Sequence, residues 1–282
     1  RDLHSFPTRR SSDLRTSKGA TKETLFRVFR SRRFGIAVGF GLIFLIVSVY
    51  TRLFSNQALP KEYSFADLWF YVYTYAHYTL ALPILAVMPF SDALAIERSE
   101  GFLRPLVFRS GFRSYVRERF FVNAIAAAVA AMLPLAGLYL FTNLYVPRAQ
   151  YPINVWDMPV AGRPYGLLMP FFQRTPDLFI LFISGMVGLM SALYATFAMS
   201  LSFVMTNRYW ILGFPCAFYL FSHFVAVKTN FFGADWSPTA PLYCNFWHEY
   251  SSVRIFFLHP LALTALISAI LILFARRERV LS

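Results

Sequence analysis

Six apolar segments divide this chain, and their length constrains its fold more than any other feature does. A helix needs about 20 residues to cross the hydrocarbon core of a bilayer. The segments are close to this length, contain no Asp, Glu, Lys or Arg, and occupy residues 34–50, 68–90, 121–141, 178–205, 210–227 and 256–275. Because lipid offers no partner for backbone N–H and C=O groups, each segment is expected to be helical. The sequence therefore predicts an all-α integral membrane protein with one six-helix transmembrane domain over 34–275.

The basic residues set the expected orientation of these spans. A net charge of +13 could indicate a nucleic-acid-binding protein, but the chain is 57% hydrophobic and its Lys and Arg lie at the ends of apolar segments. When the termini and the connections between spans are assigned alternately to the two sides of the membrane, one side has 17 Lys and Arg and the other has 7. Cytoplasmic loops of membrane proteins carry the excess of basic residues. We therefore predict a multi-pass protein of the cell membrane that has both termini, including the basic tail 276–282, in the cytoplasm and binds no nucleic acid.

The first fourteen residues, RDLHSFPTRRSSDL, resemble the in-frame translation of a sequencing adapter. They contain neither an initiating Met nor the apolar core of a signal peptide. We expect residues 1–14 to be non-native and the protein itself to begin near Arg15.

The basic segment 15–33 has the pattern of an amphipathic helix. Leu25, Phe26, Val28 and Phe29 fall on one arc of a helical wheel, while the basic side chains point away from it. Such a pattern is typical of a helix that lies in the membrane interface and contacts lipid. The alternative is a plain basic flank of the first span.

A charged segment, 91–119, joins the second and third spans. It contains six Arg and four acidic residues, and ten charges at the bilayer centre would cost roughly 25 kcal/mol or more. The segment must therefore lie in water. Gly101 suits a helix C-terminus, and the apolar side chains that follow it would form an exposed patch unless a partner or the membrane covers them. The alternative is an ordinary solvated loop.

A family resemblance becomes visible at this segment. Glu97 and Arg98, then Gly101 with a short hydrophobic helix, and the re-entry RSYVR at 113–117, which is like RxxYVxxR, are together similar to the loop between the second and third spans of ATP-binding cassette (ABC) exporter permeases, type 2 family. In that family the loop is a coupling helix that docks on a separate ATPase subunit. The resemblance implies that the docking residues here are Glu97, Arg98, Gly101, Phe102, Leu103 and Leu106.

The resemblance extends loosely over residues 15–282 and implies the remaining parts of the assembly. Segment 15–33 resembles the elbow helix that lies on the inner membrane surface. The chain would pair with a second permease subunit, identical or homologous, and would export a substrate using ATP and Mg²⁺ bound by the ATPase subunit. This chain itself would bind no cofactor, and it contains no G-x-x-x-x-G-K-[ST] motif that could cradle nucleotide phosphates.

Polar residues inside the spans are candidates for lining a solute path. They are Tyr71, Tyr75, His77 and Tyr78 in the second span, and Tyr219, Ser222 and His223 in the fifth. The alternative use of such side chains is a hydrogen bond from helix to helix. Small residues spaced by four, at Ser184, Gly188 and Ala192 and at Ala127 and Ala131, predict packing faces. Pro83, Pro134 and Pro215 lie inside spans and require neighbours that satisfy the freed carbonyls.

Enzymatic and ion-coupled functions find little support in the sequence. Spans without ionisable carboxylates or amines argue against proton-coupled and sodium-coupled carriers. The tripeptide HEY at 248–250 has no second His at helical spacing, and two separated Cys give no metal or disulfide framework. We therefore expect a transport subunit and no enzyme, with two alternatives: a non-transporting scaffold or sensor that recruits a cytosolic partner, and an ATP-independent carrier or channel.

The two connections predicted to face outward differ in composition. Residues 142–177 contain six prolines and predict an irregular cap. Residues 228–254 are rich in aromatic side chains, which are typical of a belt at the membrane interface. The family resemblance implies instead that 228–254 forms re-entrant helices that close the outer end of the pathway.

Overall fold

The structure, a computed structural model, describes residues 13–54, 64–101, 111–145, 169–229, 237–243 and 255–281. Within these ranges all regular structure is helical and no strand occurs. The helices in chain order are α1 (Asp13–Phe29), α2 (Arg32–Phe54), α3 (Phe65–Tyr75), α4 (Tyr78–Val87), α5 (Ala93–Ser99), α6 (Phe112–Tyr145), α7 (Met169–Arg174), α8 (Pro176–Leu201), α9 (Arg208–Phe224), α10 (Ala240–Tyr243) and α11 (Ile255–Leu281). The prediction of an all-α fold is confirmed for this part of the chain.

Four of the described helices are long and apolar enough to cross a membrane. The qualifying stretches are Arg32–Thr51 in α2, Ser114–Tyr145 in α6, Pro176–Leu201 in α8 and Phe257–Phe274 in α11. They correspond to the first, third, fourth and sixth predicted spans and indicate a membrane-embedded protein. The fifth predicted span corresponds to α9, which has 17 residues and continues as a π-helical turn over Val225–Thr229. Crossing of the membrane six times stays a prediction.

The second predicted span, 68–90, is not one continuous helix, which corrects the expectation from the sequence. The α-helix ends at Tyr75 and restarts at Tyr78, and His77 between them has a left-handed backbone with φ 48°. α3 begins with a reciprocal cap, in which the Ser64 side chain accepts from Asp67 N–H and the Asp67 carboxylate accepts from Ser64 N–H. Both halves are buried in the bundle, where irregular backbone can be tolerated.

α8 is the central helix of the bundle. It packs against α4, α6, α9 and α11, and most of its length is buried. Of the small residues predicted as packing faces, Gly188 of α8 lies against Met132 and Ala128 of α6, and Ala127 and Ala131 of α6 are fully buried. The outward faces of the long helices are apolar, with Ile43, Leu140, Leu181 and Leu273 all more than half exposed. These surfaces suit contact with lipid.

Gly41 marks the closest approach between α2 and two other helices. A Cβ atom built on Gly41 would lie 2.8 Å from Cγ of Pro134 in α6 and 3.2 Å from the hydroxyl oxygen of Tyr78 in α4. The proline ring cannot rotate away, because it is closed on its own backbone. A glycine at this position therefore lets three helices meet.

We expect Gly41→Ala to destabilise the protein by about 1–3 kcal/mol, because the added methyl group forces backbone shifts in a packed interface. The matched control is Gly39→Ala on the same helix, where nothing lies within 4 Å of the added atom. The stability of each variant is measured as its thermal unfolding midpoint in detergent micelles. Equal midpoints for the two variants would show that the three-helix contact is not tight.

Candidate functional site

One end of the bundle gathers the segments that the sequence predicts to be cytoplasmic. The Thr24 hydroxyl of α1 donates to Glu118 of α6 at 3.1 Å, and Arg98 of α5 donates to the Ser202 carbonyl after α8 at 3.4 Å. The centroid of the Phe203 ring lies 4.6 Å from the centroid of the Phe274 ring in α11. We call this surface the basic end: α1, α5, the first turns of α2, α6 and α9, and the turn at 202–207. α5 contacts its neighbours through buried apolar side chains and through charged groups.

The first charged contact joins α5 to α2. Nη1 of Arg33 lies 2.7 Å from Oδ1 and 3.0 Å from Oδ2 of Asp92, the residue that precedes α5. The Asp92 side chain is 3% exposed, whereas that of Arg33 is 49% exposed. A buried carboxylate needs a partner charge or hydrogen bonds to remain ionised at low cost. Arg33 supplies this charge from the first turn of a membrane-spanning helix.

The second charged contact joins α5 to α6. Nη2 of Arg119 lies 2.6 Å from Oε1 of Glu97, and both side chains are mostly buried. The Tyr115 hydroxyl, one helical turn before Arg119, donates to the other oxygen of the same carboxylate. The Arg119 guanidinium also lies over the rings of Tyr115 and Phe90, at 5.0 and 5.6 Å from their centroids. Two side chains of α6, those of Arg119 and Tyr115, therefore bind the Glu97 carboxylate.

The buried side-chain amide of Asn123 connects the turn before α5 to the central helix α8. The Ser91 hydroxyl donates to Oδ1 of Asn123 at 3.2 Å, and Nδ2 of Asn123 donates to the carbonyl of Ala195 at 2.7 Å. Asn123 is fully buried in α6, and Ala195 lies in the central helix α8. The turn before α5 is thus hydrogen-bonded, through one side chain, to the two most closely packed helices of the bundle.

The first turn of α9 adds exposed positive charge to the basic end. Arg208 donates to the hydroxyl oxygen of Tyr209 at 3.0 Å, and this hydrogen bond lowers the pKa of Tyr209. The same bond, with a smaller contribution from the charge of Asp92, raises the pKa of Arg208. Asp92 therefore lies within electrostatic range of α9 as well as in contact with α2.

α1 packs on protein through most of its predicted apolar arc. Val28 is buried against Val122 and Ala126 of α6, and Leu25 and Phe29 pack around the same cluster. Phe26, the fourth member of the arc, is 66% exposed. α6 therefore packs against one side of the arc and leaves Phe26 exposed, and the position of α1 in the membrane interface stays a prediction.

The predicted docking residues differ in how the structure places them. Arg98, Ser99 and Glu100 are exposed, and Gly101 ends α5 with φ 75°, as expected for a glycine at a helix C-terminus. Glu97 is turned inward and fixes α5 to α6. Phe102, Leu103 and Leu106 lie outside the described residues, as do the rest of 102–110, the whole of 146–168 and most of 230–254.

Two of the predicted pathway residues form hydrogen bonds between helices. The Tyr219 hydroxyl of α9 donates to the carbonyl of Thr79 in α4 at 2.7 Å. This carbonyl is four residues before Pro83, which has no N–H to offer it. The Tyr78 hydroxyl donates to the Ala131 carbonyl of α6, also at 2.7 Å and near Pro134. Both tyrosines are fully buried.

The remaining predicted pathway residues are not brought into one site. Tyr71 and Ser222 are half-buried, His77 at the helix break is exposed, and the side chain of Tyr75 lies outside the described residues. Nδ1 of His223 lies 2.9 Å from the Ser237 hydroxyl and 3.2 Å from that of Thr239. His223 therefore fixes the chain before α10 against the end of α9. Whether any of these residues lines a solute path stays a prediction.

Sequence reasoning missed the buried pair Tyr194 and His259. The Tyr194 hydroxyl lies 2.6 Å from Nε2 of His259, and the pair joins α8 to α11. The Tyr194 ring also makes an edge contact with Tyr219 at 5.2 Å. A lone His inside the apolar sixth span was the available signal for this contact.

Comparison of the chain with protein-family models, with curated proteins and with solved structures finds no match. Within the described part of the chain, no three His, Cys, Asp or Glu side chains lie together as ligands for a metal ion. The basic end is the candidate functional site, because its charged residues lie next to helices that are long and apolar enough to cross a membrane, and because α5, whose C-terminal end is exposed, is linked to two of these helices.

We expect Arg33→Gln to destabilise the protein by about 3 kcal/mol, because it leaves the buried Asp92 carboxylate without its partner charge. Asp92→Asn should cost about 1 kcal/mol, since the half-exposed Arg33 can turn to solvent. The double variant should be more stable than Arg33→Gln alone. Chemical unfolding in mixed micelles measures all three. Equal losses for the two single variants would contradict the asymmetric burial of the pair.

Proposed function

We propose that the chain is the membrane-spanning permease subunit of an ABC exporter. It pairs with a second permease subunit and is driven by a separate ATPase subunit, which binds ATP and Mg²⁺. The observation that carries the proposal is the position of α5: its outer residues Arg98, Ser99 and Glu100 are exposed, while Asp92 and Glu97 connect its inner side to α2 and α6. An exposed helix with ionic connections to two spans can receive a partner and pass its movement on.

The two ion pairs define how force would travel from the partner into the membrane. A displacement of α5 pulls on Arg33 at the start of α2 and on Arg119 near the start of α6. The bond from Arg98 to the Ser202 carbonyl adds the end of α8. Packed elements with strong polar links move as rigid units more readily than they deform. Closure of the ATPase subunits is thereby converted into a rotation of the spans at the basic end.

The break between α3 and α4 supplies a second mobile point in this mechanism. Tyr78 and Tyr219 hold α4 to α6 and α9 through carbonyl hydrogen bonds, so α4 follows those helices. α3 is also held to α6, because the Trp69 indole donates to the Leu135 carbonyl, and it is joined to α10 by the Tyr73 hydroxyl, which donates to the Leu242 carbonyl. Both halves are therefore attached to α6, and a change of their relative angle as the pathway alternates between inward and outward access would take place at His77.

The orientation in this proposal follows from charge. The basic end carries exposed Arg30, Arg32, Arg98, Arg117 and Arg208. Since basic flanks remain on the cytoplasmic side during insertion, α5 faces the cytosol, where ATP is present. A scaffold or sensor would use the same exposed helix but would not need α5 to be joined to several spans. An ATP-independent carrier would need no partner on α5 at all.

The docking role is tested by reversing single exposed charges on α5. We expect Arg98→Glu and Glu100→Arg each to weaken co-purification with the ATPase subunit by roughly tenfold, because like charges at a docked interface repel. Thr206→Ala, an exposed substitution in the neighbouring turn of the basic end, is the matched control and should leave co-purification unchanged.

Reconstituted vesicles then separate the functional classes. Substrate efflux that requires both the ATPase subunit and ATP supports the exporter. Efflux without the ATPase would identify a carrier or channel, and undiminished binding of both α5 variants would place the docking surface elsewhere. ATPase association without transport of any solute would favour the scaffold.

A further inference from the structure

α1 has a second face that its packing on α6 leaves exposed. Lys22 and Phe26 lie in one row along α1, and Arg30, the residue that follows its end, continues the row because its N–H donates to the Phe26 carbonyl at 3.1 Å. Lys22 and Arg30 are exposed, and Phe26 between them is 66% exposed. No ion pair to Lys22 or Arg30 occurs within the described part of the chain. We call this row the Lys22–Phe26–Arg30 stripe.

The neighbouring exposed face of α1 is electrically neutral. Arg27 pairs with Glu23 at 2.9 Å, and both side chains are more than 70% exposed. Among residues 21–30 the net positive charge is therefore concentrated in the stripe, on either side of an aromatic ring. Cations flanking an exposed aromatic side chain suit a surface that is anionic at its edge and apolar just beneath it.

The depth of the stripe is fixed by two helices that are apolar enough to cross the membrane. α1 ends at Phe29, and the apolar stretch of α2 begins three residues later at Arg32. On its other face, Val28 packs against Val122, which lies three residues beyond the last charged residue of α6, Arg119. Phe26 therefore lies at the level where both helices change from charged to apolar, which is the level of the lipid headgroups.

We propose that the Lys22–Phe26–Arg30 stripe binds the anionic phospholipid surface of the membrane, with Phe26 inserted below the headgroups and the two cations at the phosphates. This contact is separate from the docking surface on α5 and does not depend on the identity of any ATPase partner. Leu25, Val28 and Phe29 pack on α6 and lie outside the stripe, which provides the lipid selectivity.

The test places a fluorophore in the stripe and asks which lipid surrounds it. A single cysteine, Phe26→Cys in a Cys216→Ala/Cys244→Ala background, is labelled with an apolar fluorophore. The fluorophore replaces the apolar side chain that Phe26 inserts below the headgroups. Full-length protein is then placed in phosphatidylcholine bilayers that contain phosphatidylglycerol. Quenching by nitroxide-labelled phosphatidylglycerol is compared with quenching by nitroxide-labelled phosphatidylcholine.

We expect stronger quenching by phosphatidylglycerol, and a fall of about fivefold in this preference when either Lys22→Gln or Arg30→Gln is added. The paired substitution Glu23→Gln/Arg27→Gln removes one charge of each sign from the adjacent face and should leave the preference unchanged. Raising the ionic strength should reduce it. Equal quenching by the two lipids would overturn the proposal. A label that no lipid quenches, but that a soluble ATPase subunit shields, would identify the stripe as a protein interface and would also overturn it.

Discussion

Two ion pairs determine how the basic end of this protein is arranged. Asp92 and Glu97 lie where α5 meets the bundle, and a carboxylate that is withdrawn from water is costly unless a cation accompanies it. Arg33 and Arg119 supply the cations from different helices. Together with the buried apolar side chains of α5, the two pairs hold this helix against the bundle and leave its C-terminal end exposed.

Inside the bundle, hydrogen bonds from aromatic side chains to backbone carbonyls take the place of such pairs. Trp69, Tyr73, Tyr78 and Tyr219 each donate to a carbonyl on another helix or on the short helix α10. Helices that contain Pro83 and Pro134 have carbonyls without their usual donors, and the tyrosine hydroxyls lie at or near them. The high aromatic content of the chain therefore has a structural use: large rings fill the core while their polar tips join broken or proline-containing helices.

The sequence predicts the parts of this fold that follow from local pattern. Apolar length identifies the four helices capable of crossing a membrane, small residues identify the contact of Gly188 with α6, and Gly101 marks the end of α5. The break at His77 was not predictable, because the apolar pattern continues through it and the hydropathy of a residue does not report its backbone conformation. The partners of Asp92 and Glu97 were not predictable either, since Arg33 is 59 residues from Asp92 and Arg119 lies on a different helix from Glu97, so that both pairings are set by how the helices meet in space. The sequence places Phe26 in one apolar arc with Leu25 and Val28. The different exposure of Phe26 depends on how α1 packs on α6, which the sequence does not specify.

The account depends on α5 being presented to the cytosol. The most direct measurement is the labelling of Ser99→Cys, in a Cys216→Ala/Cys244→Ala background, with a maleimide that does not cross membranes. The account predicts rapid labelling in inside-out vesicles and none in intact cells until they are permeabilised. Labelling in intact cells would place the basic end outside, and α5 could then receive no cytosolic partner.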